Sequence, residues 1–341
     1  MSDGNTGPVM PYSRIFHSLS HSLRETEMVK KKLWFCIFGF LIACSHPPLY
    51  VRIEKPGSSP DSGLIIPLAF ESGLPYVEAV LQDRTTELLL DTGADGFTLG
   101  LKPEVLRGMK IKDGKREYSI RRNIYGMSTV DRTFRLPDVW IGPIHYTDLL
   151  CTVFRLPQPV RRGGGLVGMD VLKEYNVLID YKNSRIVFRD PGSDPPGWNG
   201  EGWTSMSLED NRTVKGYLSG IEKPLRIGFD TGSAFFCRGR SYSVFRNRKR
   251  RPLYRSIVQG TLNAEGKRLD YVHQTYFTVQ GRRIDGLNIV FWDLSLPEDW
   301  DLILGHDFFS SHAVCLDYPN KKVFIMPYRD NESYTPEGFS E

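Results

Sequence analysis

Leu88-Leu89-Leu90-Asp91-Thr92-Gly93-Ala94 and Ile227-Gly228-Phe229-Asp230-Thr231-Gly232-Ser233 are one pattern written twice in a chain of 341 residues. Each is an apolar run that ends in Asp-Thr-Gly. At average residue usage a given tripeptide turns up roughly 0.05 times in a chain of this length, so two copies argue for a duplicated unit. Two carboxylates delivered by equivalent loops can share one proton and polarise a water between them, because two like charges at close range cannot both ionise cheaply.

The surroundings repeat as well. Gly165-Leu166-Val167-Gly168-Met169-Asp170 follows the first copy and Leu302-Ile303-Leu304-Gly305-His306-Asp307 the second. Gly168 lies 77 positions after Asp91, and Gly305 lies 75 after Asp230. Next come Val177-Leu178-Ile179-Asp180-Tyr181-Lys182-Asn183 and Val314-Cys315-Leu316-Asp317-Tyr318-Pro319-Asn320. With two copies and so long a period, the chain reads as an internal duplication and not a solenoid.

An apolar strand running into Asp-Thr-Gly-Ala or Asp-Thr-Gly-Ser, then an apolar-apolar-Gly strand before a short helix, resembles the retropepsin-like aspartic peptidases. More specifically it is similar to the bacterial aspartyl protease group, with two retropepsin-like units fused in one chain as in the bilobal pepsins. The resemblance covers about residues 64 to 328 and rests on four motifs that recur in order. It implies an all-β, bilobal fold of two pseudo-twofold-related β-barrel lobes, each with a short helix. It also implies an aspartic endopeptidase acting on extended polypeptide, with Asp91 and Asp230 as the catalytic pair and no cofactor.

Roles for the neighbouring residues follow from the same resemblance. Thr92 and Thr231 are expected to hydrogen-bond across the two loops and hold the carboxylates coplanar. Gly93 and Gly232 let backbone pass where a Cβ would obstruct it. Ala94 follows the first copy as in retroviral-type enzymes, and Ser233 follows the second as in pepsin-like ones. A Ser233 hydroxyl donating to a carboxylate would favour its charged form, which makes Asp230 the expected more acidic member. Asp95 is either a substrate-backbone contact, as in retroviral enzymes, or a turn former.

Flap hairpins are placed by offset. Gly126 lies 35 residues after Asp91 and Gly266 lies 36 after Asp230, which puts the tips near Tyr125-Gly126-Met127 and Ala264-Glu265-Gly266. Tyr125, Gly126 and Gly266 are therefore expected substrate-side residues, with an ordinary hairpin contact as the other reading of Tyr125. Short runs such as Tyr76-Val77-Glu78-Ala79-Val80 and Tyr276-Phe277-Thr278-Val279, between Gly, Pro and Asp turns, read as strands. Two short helices are expected after the Gly-x-Asp pairs, with Asp170 and Asp307 as N-caps.

The N-terminus carries a different message. Lys30-Lys31-Lys32 precedes an apolar stretch from Leu33 to Ala43, too short to span a bilayer and ending in Leu41-Ile42-Ala43-Cys44. That is an export-signal pattern, and its ending resembles the lipobox of bacterial lipoproteins. The resemblance implies a lipidated Cys44 as the first mature residue, Met28 as the natural start, and a cell-envelope location facing the periplasm or exterior. An uncleaved anchor helix with a coincidental cysteine is the alternative. The expected organisation is an extension (1–27), signal peptide (28–43), tether (44–62), N-terminal lobe (63–190), linker (191–202), C-terminal lobe (203–329) and polar tail (330–341).

Other features narrow the partners. The net charge is +4, which by itself implies no polyanionic partner, and no nucleic acid is expected. A basic run, Arg246 to Arg251, reads as a solvated loop, an anionic-headgroup contact or a nicking site. Cys151, Cys237 and Cys315 allow one bridge or buried free thiols. No Cys-x-x-Cys or His-Glu-x-x-His occurs, so no metal site is expected. A monomer with an internal pseudo-dimer follows from both halves being present. Two functional readings stand: an active endopeptidase, or a catalytically silent peptide-binding or assembly lipoprotein that retains the cleft.

Overall fold

The computed structural model describes residues 51–52, 63–94, 99–111, 118–122, 128–153, 162–196, 202–210, 212–219, 221–234, 237–240, 251–258, 267–279, 281–292 and 300–328. By internal contacts the chain divides into Met1–Leu49 and Tyr50–Glu341, and all described elements belong to the second unit. Residues 28–44, Asp95, Tyr125, Gly126 and Gly266 fall outside the described residues, as do Arg246 to Arg250.

In the first half the strands are β1 (Val51–Arg52), β2 (Leu64–Pro67), β3 (Ala69–Glu71), β4 (Leu74–Leu81), β5 (Arg84–Leu90) and β6 (Leu99–Leu101). They continue with β7 (Tyr118–Arg122), β8 (Ser128–Ile141), β9 (Ile144–Val153), β10 (Gly165–Val167), helix α1 (Met169–Leu172), β11 (Asn176–Asp180) and β12 (Arg185–Arg189). The second half has β13 (Thr204–Ser207), β14 (Thr213–Leu218), β15 (Leu225–Phe229), β16 (Cys237–Arg240) and β17 (Arg251–Val258). It ends with β18 (Lys267–Val279), β19 (Arg282–Trp292), β20 (Leu302–Leu304), helix α2 (His306–Ser311), β21 (His312–Asp317) and β22 (Lys322–Pro327).

Pairing turns each half into a closed barrel. In the first, β4, β5, β10, β6, β9 and β8 follow one another and β8 pairs back to β4. In the second, β14, β15, β20, β16, β19 and β18 do the same, closed by β14 on β18. The orders match element for element, so the duplication read from the motifs extends to the whole strand plan. A six-stranded sheet, β13-β22-β21-β11-β12-β2, joins the lobes, each lobe contributing three strands. Its centre is the antiparallel pair β11 and β21, with Val177 opposite Leu316 and Leu178 opposite Cys315.

Burial explains why these segments are strands. Leu88 to Leu90, Gly165 to Val167 and Leu302 to Leu304 are buried throughout, as expected of short apolar strands enclosed on both faces. Around them, β14 shows the alternation of a half-exposed strand. The repeated Asp-Tyr-x-Asn segments are turn locks. Asn183 donates from its backbone (3.3 Å) and its amide (2.7 Å) to Asp180, and Asn320 does the same to Asp317 at 3.3 and 2.9 Å. Both Asp180 and Asp317 are buried, and Tyr328 hydroxyl also donates to Asp180.

One expectation needs correction. The helix N-caps are Gly168 and Gly305, neither with a side-chain capping bond, while Asp170 and Asp307 sit in the first turn. The two carboxylates lie in the first turn, where the positive end of the helix favours negative charge. Asp170 instead accepts from Lys173 at 2.9 Å. Of the two readings of the cysteines, Cys151 and Cys315 follow that of buried free thiols, and burial raises the pKa of both.

His312 ties pH to stability in the second lobe. Its ring stacks on Phe308 at 4.5 Å and is buried, which lowers its pKa to about 4. Because the folded value lies below the unfolded one of about 6.5, the fold loses stability as pH falls from about 6.5 toward 4. Replacing His312 with Phe is expected to flatten that part of the stability curve by up to about 3 kcal/mol, the size of the shift. Urea unfolding of both forms at several pH values checks this, and parallel curves would contradict it.

Candidate active site

Strands β5 and β15 end in the two Asp-Thr-Gly loops, and each is clasped by a parallel partner. Leu88 to Leu90 pair with Gly165 to Val167, and Ile227 to Phe229 pair with Leu302 to Leu304. Asp91 N–H donates to the Val167 carbonyl at 3.0 Å, and Asp230 N–H donates to that of Leu304 at the same distance. Below each loop a helix takes up the next carbonyl: Met169 N–H donates to Ala94 and His306 N–H to Ser233, both at 3.0 Å. The apolar-apolar-Gly segment therefore serves as the platform that fixes the carboxylate loop.

The loops are locked to each other by their threonines. Thr92 N–H donates to the Thr231 hydroxyl oxygen at 3.1 Å, and Thr231 N–H to that of Thr92 at 3.0 Å. Each hydroxyl then donates across the lobe boundary, Thr92 to the Phe229 carbonyl at 2.9 Å and Thr231 to the Leu90 carbonyl at 2.7 Å. Both threonines are buried, at 3 % and 0 % exposure. No water competes for these bonds, so each hydroxyl satisfies a donor and an acceptor that would otherwise be orphaned.

Glycine is required by what lies opposite. A Cβ on Gly93 would sit 2.6 Å from the Asp230 carboxyl carbon, and one on Gly232 would sit 2.5 Å from that of Asp91. The arrangement brings Asp91, Thr92, Gly93, Ala94 and Asp230, Thr231, Gly232, Ser233 together as one site, with each glycine backbone against the other lobe's carboxylate. Gly93 N–H also donates to Asp91 Oδ1 at 3.0 Å.

Proton affinity follows from this packing. The Asp91 carboxyl is held well above the usual carboxylate range, first by burial, then by the charge and hydrogen bond of Asp230. The Gly93 and Ala94 amides oppose that shift without cancelling it. The expected bond from Ser233 is not made: its hydroxyl is buried and has no hydrogen-bond partner among the described residues. The Ser233 hydroxyl thus plays no part in the upward shift on Asp91, which comes from burial and Asp230.

Residues beyond the motifs complete the surroundings. Tyr181 is buried, with its ring stacked on Phe309 at 5.3 Å and edge-on to Phe70 at 4.8 Å. Burial and the charges of Asp230 and Asp91 raise its pKa, so its hydroxyl is a neutral group near the dyad. His306 is buried too, its ring 5.7 Å from that of Tyr181 and close to where a Gly73 side chain would lie. Burial lowers its pKa. The repeated Asp-Tyr pair marked Tyr181 in the sequence, but nothing local marked His306, whose counterpart is Met169. At the expected flap positions the described residues show antiparallel stems, Tyr118–Arg122 on Ser128–Arg132 and Val258 opposite Lys267; the expected tips lie outside the described residues.

Removing one hydroxyl of the exchange while keeping its shape strands a buried N–H and a buried carbonyl. Thr92→Val or Thr231→Val is therefore expected to destabilise by about 1–3 kcal/mol per orphaned group, and serine at either position by far less. Chemical denaturation of the four variants checks this, and equal stability of the valine and serine forms would contradict it.

An aspartyl protease family model matches residues 77–171, the stretch from β4 to α1 that holds the first Asp-Thr-Gly. No curated protein matches the chain. Among solved structures, the chain is similar to the aspartic proteinase from Irpex lacteus, with 12 % identity and a TM-score of 0.52 over 79 % of this chain and 99 % of that one. The fold is that of the bilobal aspartic proteinases, and the family match over the first lobe supports a protease role.

Proposed function

We propose that the protein is an aspartic endopeptidase that hydrolyses extended polypeptide with the Asp91 and Asp230 pair, anchored outside the cytoplasm through a lipidated Cys44. The observation that carries the catalytic part is the reciprocal packing of the two loops, each glycine against the opposite carboxyl under the threonine exchange. That packing gives the pair one proton to share. A binding protein has no chemical need for it.

The division of labour follows from the shift on Asp91. In this reading Asp91, whose pKa burial and Asp230 raise, holds the proton, and Asp230 is assigned the charge. Asp230 takes a proton from the attacking water while the Asp91 carboxyl donates to the carbonyl oxygen of the scissile bond, giving a tetrahedral diol with no covalent enzyme intermediate. Breakdown returns a proton to the leaving amine. Thr92 and Thr231 hold the carboxylates in register, which is the pre-organisation such a step needs.

The anchoring part is supported by the sequence from Lys30 to Cys44 alone. Export of a lipoprotein precursor would leave the lobes on a tether rich in Pro, Gly and Ser.

Peptide cleavage measured from pH 3 to 7 tests the dyad. Asp91→Asn and Asp230→Asn are each expected to lower kcat/KM by at least about 10²–10⁴-fold, the usual worth of a general acid or base. The alkaline limb should lie above the ordinary carboxylate range, because activity needs Asp91 protonated, and Ser233→Ala should leave the acid limb in place. Full activity in either Asn variant contradicts the proposal. For the anchor, labelled palmitate is expected to enter the wild-type protein and not Cys44→Ser in a bacterial host; equal labelling of both removes that part of the reading.

A further inference from the structure

The two barrels differ in the row of side chains that flanks the dyad. In the N-terminal lobe that row is Tyr76, Leu89 and Leu166, cross-strand partners in β4, β5 and β10. Leu89 precedes Asp91 by two residues, so both lie on one face of the strand. Ala94 and Ala234, which follow the two Asp-Thr-Gly motifs, pack on this cluster and fix it beside the site.

The matching row in the C-terminal lobe is Thr213, Gly228 and Ile303. Gly228 takes the place of Leu89 and Thr213 that of Tyr76, so the strands there supply little bulk. Trp300 fills the difference. A Cβ on Gly228 would meet the indole ring at 2.7–2.9 Å, and Trp300 is buried against Ile303.

Backbone bonds identify what Trp300 replaces. Gly164 N–H donates to the Glu87 carbonyl at 2.7 Å, and Asp301 N–H to that of Arg226 at 2.8 Å. The residue before each is therefore equivalent, Gly163 in one lobe and Trp300 in the other. Gly163 has φ +79° and a Cβ there would lie 2.6 Å from the Glu87 carbonyl oxygen, so it bears no side chain for a backbone reason. Bulk has been exchanged between the two positions: Leu89 with Gly163 on one side, Gly228 with Trp300 on the other. Asp301 pins the backbone next to Trp300 to β15 by accepting the Arg226 N–H at 3.0 Å.

Resting on the peptidase reading, we propose that Trp300 sets the side-chain preference of the subsite beside Asp230. The indole occupies the depth that the glycine leaves, so that subsite is shallow and selects a short side chain next to the scissile bond, while the Asp91 side is walled by Tyr76, Leu89 and Leu166. Removing the ring opens a pocket, because neither Gly228 nor Thr213 can fill it.

The test is cleavage profiling of peptides that vary each residue flanking the scissile bond, with wild type, Trp300→Ala and Trp300→Leu. The wild type is expected to favour Ala or Val over Phe at one flanking position. Trp300→Ala should raise kcat/KM for Phe relative to Ala there by about tenfold or more, the scale on which apolar pockets discriminate size. Trp300→Leu should fall between, and it decides the matter if the alanine form does not fold. Calorimetric binding of the same peptides to Asp91→Asn, with and without the Trp300 substitutions, separates the two readings. If wild type cleaves nothing, the peptidase reading fails and the binding order still tests Trp300. An unchanged order of preference in both measurements, or no peptide binding at all, overturns the proposal.

Discussion

The structure depends on an exchange of two hydroxyls. Thr92 and Thr231 each accept the other's backbone N–H and donate to a carbonyl of the other lobe, in a place closed to water. A typical protein hydrogen bond adds only about 1 kcal/mol net, but a buried group left unpaired costs about 1–3 kcal/mol. What the exchange supplies is registration: neither threonine has its N–H and hydroxyl satisfied until the opposite lobe is in place. The six-stranded sheet beneath the barrels works in the same sense, since its central pair takes one strand from each lobe. The site and the lobe junction are thus one cooperative object.

Charge is the second consequence of that closeness. Bringing two carboxyls within hydrogen-bond reach in a partly desolvated place drives one of them to keep its proton, which is the direction found for Asp91. The same burial acts oppositely on the histidines around α2. His306 and His312 are kept neutral, so acid that would protonate the whole dyad also charges groups the fold holds uncharged. On the proposed peptidase reading, catalytic and structural demands meet in a mildly acidic range, where one proton remains on the pair and His312 is still neutral.

Much of this was legible in the sequence, and the reasons differ by element. The paired Asp-Thr-Gly motifs and the apolar-apolar-Gly strands were visible because chemistry and close packing restrict them to few residue types. The strands between them were visible only as apolar runs, and their joining into two matched barrels depends on pairings far apart in the chain. Asp170 and Asp307 looked like N-caps because their residue type favours that position, but the cap is set by where β10 and β20 end, at Gly168 and Gly305. Ser233 looked like a carboxylate donor by its place in the motif, yet its hydroxyl is buried and has no hydrogen-bond partner among the described residues. The exchange of bulk between Gly163 and Trp300 could not be read at all, since it requires knowing which backbone amides are equivalent. Sequence periodicity carries the faces of strands but not the identity of what fills the space between them.

The central claim is that two equivalent loops make one site holding one shared proton. The most direct measurement is a titration followed by carbon NMR on protein labelled at the aspartate carboxyl carbons, with Asp91→Asn and Asp230→Asn used for assignment. The account predicts two coupled steps, with Asp91 protonating well above the usual aspartate value of about 3.9 and the pair holding a single proton over the range between them. Two independent carboxyls titrating near that usual value, each unmoved by substitution of the other, would contradict it.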